Sequence, residues 1–81
     1  MVQLTPTPKI QNKPMTMSFF DAIKAIQNGN SVRRIEWNNL DYCFMGKDEF
    51  LSIYTKGKIH QWLINLGDIE GNDWMIVKQL N

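Results

Sequence analysis

The stretch Ser18–Gly29, SFFDAIKAIQNG, constrains the fold more than any other part of the chain. Phe19, Ala22, Ile23 and Ile26 fall at i, i+3, i+4 and i+7, which puts them on one stripe of an α-helix. Ser18 stands before the stripe as an N-cap able to accept a backbone N–H, and Asp21 places negative charge in the first turn. Asp21 is a weaker reciprocal partner than Glu or Gln, so the capping box is partial. Gly29 supplies a left-handed stop. A helix of about three turns does not persist alone in water, so its stripe must pack on the strands downstream.

Beyond Gly29 the sequence alternates like strands. Ser31–Trp37 opposes Arg33, Ile35 and Trp37 to Val32, Arg34 and Glu36. Tyr42–Met45, Phe50–Tyr54, Ile59–Leu63 and Trp74–Val77 read as further strands. Asn38-Asn39, Gly46-Lys47-Asp48 and Thr55–Lys58 are the turns between them, Asn65–Asn72 is a Gly- and Asp-rich loop, and Gln79–Asn81 frays. The class is α+β: one N-terminal helix packed on an antiparallel meander of about five strands, a single small domain over 17–81. Residues 1–16, with Pro6, Pro8 and Pro14 and little to bury, read as a flexible N-terminal arm or as an extra edge strand or lid.

Charge narrows the function classes. The formal net charge is +1, and the arm carries Lys9 and Lys13; the remainder has seven Lys/Arg against eight Asp/Glu, or −1. Such a chain lacks the field of a non-specific nucleic-acid binder. No apolar run approaches a membrane span, and the first residues have no apolar signal region. A single Cys43 excludes an internal disulfide and a cysteine metal cage, and suits a reducing cytoplasm. The domain is near the size at which one core is barely sufficient, yet the whole chain carries three Trp, four Phe and five Met. Association into a homo-oligomer is the expected remedy.

Catalysis finds little support. His60 is the only histidine and has no evident partner, and Cys43 lies in an apolar strand with no histidine beside it. Asp68, Glu70 and Asp73 share a loop, but their spacing is not that of a calcium loop; capping turns or pairing with Arg33 or Arg34 is the plainer role. There is no phosphate-cradling glycine motif, and no metal or cofactor is expected. Arg34 and Trp37 are more suggestive: an indole can stack on a base, and a guanidinium can fork onto phosphate oxygens. A core tryptophan and a structural ion pair are the competing roles for the same two residues.

Two motifs carry a resemblance. FxxAIxxIxxGxxVxRxxW is present at Phe19–Trp37 and WxxxxxDIxGxDWxIV at Trp62–Val77. Together they resemble the second Thoeris anti-defence family, small phage proteins long filed as a domain of unknown function. The resemblance implies a non-enzymatic sponge acting in the cytoplasm of the infected bacterial host. It implies sequestration of cyclic ADP-ribose isomers (glycocyclic ADP-ribose) made by TIR-domain immune proteins. A tetramer built as a dimer of dimers, with ligand held between protomers, is implied too, as is binding of cyclic dinucleotides at separate sites by some members.

Carried over residue by residue, Trp37 is the expected stacking platform and Arg34 a pyrophosphate contact or an ion-pair residue. Asp73 becomes a turn or ribose-hydroxyl partner, Trp74 mainly core, and Asn65 a polar pocket contact where many relatives have Ser. Gly71 departs from the usual Ala, and Asn38-Asn39 from the usual Asn-Gly. These differences fall in loops, where ligand choice is decided. The alternative class is a phage protein-interaction module that blocks a host factor directly.

Overall fold

The computed structural model describes residues 15–37 and 40–77. The arm up to residue 14, the Asn38-Asn39 turn and the fraying end at Gln79–Asn81 lie outside the described residues. The elements are α1 (Phe19–Gln27), β1 (Ser31–Arg34), β2 (Tyr42–Met45), β3 (Leu51–Thr55), β4 (Lys58–Gln61), α2 (Leu66–Glu70) and β5 (Trp74–Val77).

Helix α1 forms for the reasons its sequence gives. The Ser18 hydroxyl accepts the Asp21 N–H at 3.2 Å, and Gly29 ends the helix at φ +93°, a conformation that costs glycine little. Phe19, Ala22, Ala25 and Ile26 are buried, while Phe20 faces solvent. The buried face lies on β1, β2 and β5.

The sheet has five antiparallel strands in the order β4-β3-β2-β1-β5. The helix over a five-stranded antiparallel sheet is the architecture expected from the pattern; the position of β5 is not that of a simple meander. Strand β5 pairs with β1, with Val32 opposite Ile76 and Arg34 opposite Trp74. The reason lies in Trp74. Beside β1 it sits under α1 and is fully buried, with its ring centroid 6.0 Å from that of Phe19. Beside β4, at the margin that α1 does not reach, the same indole would stay wet.

Alternation along the strands gives the sheet two unlike faces. Val32, Cys43 and Ile53 share one row on the side of α1 and join Phe19, Ile26, Trp62 and Trp74 in or against the core. The opposite side carries Arg33 and Met75 as one pair, and Tyr42, Tyr54 and Ile59 as a continuous row.

Two local departures matter for the site. Strand β1 stops at Arg34, and a turn in which the Trp37 N–H donates to the Arg34 carbonyl returns Trp37 to the core side. Its ring meets Trp74 edge-on at 5.5 Å. Strict alternation through residue 37 would have sent it to the other face. The segment expected as a loop contains α2, because Asn65 and Asp68 form a complete capping box: the Asn65 side chain accepts the Asp68 N–H at 2.8 Å and the Asp68 carboxylate accepts the Asn65 N–H at 3.2 Å. Among the described residues no helix is long and apolar enough to cross a membrane.

Candidate ligand site

Beyond the end of β1, the chain brings three separate segments around one cleft of about 600 Å³. The turn after β1 contributes Glu36 and Trp37, the end of β4 and the residues just past it contribute Gln61, Trp62 and Leu63, and the start of α2 contributes Asn65 and Asp68. Asp41 and Ile53 complete the lining. Two indoles therefore share a concavity with three carboxylates.

The indoles are held from behind. Trp74 is wholly buried, and its ring lies 5.5 Å from Trp37 and 5.6 Å from Trp62. Its Nε1–H donates to the Asp68 carbonyl at 3.1 Å, which satisfies its polar atom and anchors α2. Trp62 is buried and Trp37 half-buried, so each offers part of a ring to the cleft while the rest packs on the core. Such a ring is pre-organised and loses little rotamer entropy on binding.

Arg34 and Asp73 stand beside the cleft, not among the residues that line it. Arg34 Nε donates to Asp73 Oδ1 at 2.8 Å. Its Nη1 donates to the Gly67 carbonyl at 3.3 Å and lies 3.3 Å from Glu36 Oε2 and 3.8 Å from Asp68 Oδ1. The other Asp73 oxygen accepts the Glu36 N–H at 3.2 Å. Arg34 thus ties β1 to α2 and to the segment before β5, and it packs 5.8 Å from the Trp74 ring centroid. Burial works against its charge, but Asp73, Glu36 and Asp68 outweigh that and raise its pKa further. Burial likewise pushes the Asp73 carboxyl up, yet the hydrogen bonds from Arg34 and the Glu36 amide, with the Arg34 charge, hold it below the usual carboxylate value.

Gly71 makes this arrangement possible. A Cβ there would lie 2.9 Å from Arg34 Cζ and Nη2 and 3.0 Å from Nε, so the guanidinium lies directly against the glycine backbone.

Of the four residues expected at a site, the fold places Trp37 and Asn65 in one cleft and joins Arg34 to Asp73 next to it. Asn65 does double work there, since its side chain caps α2. Sequence reasoning missed Trp62, Glu36, Asp41 and Asp68 as cleft residues. Trp62 opens the second motif, which was a usable signal; Asp41 had none, because its place depends on its contact with Thr55, whose hydroxyl donates to Asp41 Oδ2 at 2.8 Å. Cys43 is fully buried beneath α1, and burial pushes its thiol well above the ordinary range, so it is no nucleophile. Among the described residues no group of three or more His, Cys, Asp or Glu is arranged to hold a metal ion.

No curated protein matches the chain. The Tad2-like family, described as the Thoeris anti-defense 2-like domain, matches residues 17–77, a span that runs from the residue before the α1 cap to the end of β5. With three quarters of its length matched, the chain belongs to the Tad2-like, Thoeris anti-defense 2-like family.

Proposed function

We propose that this protein is a phage anti-defence sponge that binds a cyclic ADP-ribose-type signalling nucleotide and releases it chemically unchanged. Family membership supports the anti-defence role. The observation that carries the ligand class is the cleft, where Trp37 and Trp62 stand with Asn65 and three carboxylates. Indole faces suit a purine, and carboxylates accept hydrogen bonds from ribose hydroxyls. The same lining is poor in positive charge, so the pyrophosphate belongs at the mouth of the cleft. There a second protomer would supply cations and close the ligand in, in keeping with a homo-oligomer such as a dimer of dimers.

Energetics favour a shared site. Nanomolar capture requires about −12 kcal/mol, and one stacked base with two charge-assisted bonds does not reach that after ordering costs. Binding acts in the infected bacterial cytoplasm, where the TIR-domain product accumulates, and cyclic dinucleotides are a second ligand class to test.

The test is direct. Purified protein is mixed with glycocyclic ADP-ribose and filtered, the retained fraction is heated, and both fractions are assayed for intact ligand. Retention followed by release of intact ligand supports capture. Recovery of a cleaved product would overturn it in favour of an enzyme, and co-purification of a host protein with no nucleotide retained would favour direct blocking of a host factor.

A further inference from the structure

We infer that Arg34 is the positioning residue of the ligand cleft: without touching a ligand, its guanidinium fixes how far apart two walls of the cleft stand. This role presupposes that the cleft takes the nucleotide, as proposed above. One wall is the turn after β1, which carries Glu36 and Trp37; the other is the start of α2, with Asn65 and Asp68.

Each wall traces back to the same group. Arg34 Nε donates to Asp73 Oδ1 at 2.8 Å, and the second oxygen of that carboxylate accepts the Glu36 N–H at 3.2 Å. The Ile35 N–H donates to the Asp73 carbonyl at 2.9 Å and the Trp37 N–H to the Arg34 carbonyl at 3.1 Å, so the turn follows wherever Asp73 is held. On the other side Arg34 Nη1 donates to the Gly67 carbonyl at 3.3 Å and lies 3.8 Å from Asp68 Oδ1, in the first turn of α2. Asp68 in turn completes the capping box with Asn65, and its carbonyl accepts the Trp74 indole N–H. Trp37 on one wall and Asn65 on the other are thus spaced through one guanidinium.

The same geometry argues against Arg34 as a ligand contact. Its side chain is 14 % exposed, Nε and Nη1 are engaged, and Nη2 lies against Gly71. A phosphate gains the fork only by displacing Asp73 or the Gly67 carbonyl. A planar group bonded to both walls holds them within about 0.5 Å, the tolerance of a preformed site. Lysine would keep the charge but replace two donors fixed in one plane with a single ammonium on a flexible stem.

The test uses the full chain and four variants, assayed well below their Tm with glycocyclic ADP-ribose as the probe. Arg34→Gln should bind at least tenfold more weakly than wild type. So should Gly71→Ala, which keeps the guanidinium but pushes it aside. Arg34→Lys should not restore the affinity. Ala25→Gly, which weakens α1 away from the cleft, should lose stability and keep its affinity. Native-state amide hydrogen exchange needs no ligand. In Arg34→Gln the Glu36 amide on one wall and the Asp68 and Ile69 amides on the other should exchange at least tenfold faster together, while those of β2 and β3 keep their protection. Wild-type affinity in a folded Arg34→Gln variant would overturn the inference. So would rescue by lysine, an equal loss in Ala25→Gly, or faster exchange on one wall alone. If the wild type retains no nucleotide, the sponge reading fails, and exchange by itself decides whether Arg34 sets the cleft.

Discussion

Replacing Gly71 with alanine should destabilise the protein, although the backbone there suits any residue. Gly71 has φ −70° and ψ 144°, and at such a position alanine alone stabilises by about 0.4–1 kcal/mol through the unfolded chain. Against that, the new methyl would stand 2.9 Å from Arg34 Cζ and Nη2. Carbon-to-carbon contacts want roughly 3.5–4.0 Å, so the guanidinium must retreat by roughly 0.5–1 Å. It is pinned, because Nε is 2.8 Å from Asp73 and Nη1 reaches the Gly67 carbonyl and Glu36. Such a retreat breaks most of a charge-assisted bond worth about 1.5–3 kcal/mol net. The balance is a loss of about 1–2 kcal/mol, or roughly 5–15 °C in Tm for a domain of this size. Thermal unfolding of Gly71→Ala, Arg34→Ala and the double variant completes a cycle. With Arg34 already removed, Gly71→Ala should become neutral or stabilising by about 0.4–1 kcal/mol. If the single Gly71→Ala variant gains stability, Arg34 is not pinned and the network does not hold the segment before β5.

Three further outcomes are expected. Trp37→Ala should weaken capture of glycocyclic ADP-ribose by about 5- to 150-fold, the range of about 1–3 kcal/mol for one stacked base, with Trp37→Phe losing less; unchanged titration curves for both would remove Trp37 from the site. Asp73 has a folded pKa below its ordinary 3.8, so its stabilising contribution is complete above the unfolded carboxylate range and is lost as pH falls through the folded value. Urea midpoints taken from neutral pH down to about pH 2 should therefore drop less steeply for Asp73→Asn than for wild type, and parallel curves would contradict the assignment. Cys43, buried and with its thiol pushed up, should resist a thiol reagent in the native protein and react promptly in denaturant; prompt native labelling would mean that α1 opens readily.

Much of the fold was legible because local signals agreed. The Ser18 cap, the apolar stripe and Gly29 each specify α1 independently, and alternating runs specify the strands. The position of β5 was not legible, since strand runs do not state their neighbours; it follows from where Trp74 can be buried. Helix α2 is so short that periodicity has nothing to repeat, and only the Asn65–Asp68 spacing announced it. At the site, the residue types suggested a stacking ring and a guanidinium fork, yet the geometry separates them. Trp37 reaches the cleft because β1 ends one turn earlier than alternation implies. Arg34 has acidic partners up to 39 positions away in sequence, and no local pattern records a pairing of that separation.

The neighbour relation between β1 and β5 bears on synthesis. The first four strands can zip up in the order they emerge from the ribosome, each beside its predecessor. Until residue 74 arrives, however, the amphipathic helix lacks the Trp74 indole and packs on Trp62 alone among the tryptophans, and Arg34 has no carboxylate at 2.8 Å. Nonsense or frameshift lesions anywhere upstream of β5 should accordingly behave as complete nulls, with no fragment retaining a share of the activity.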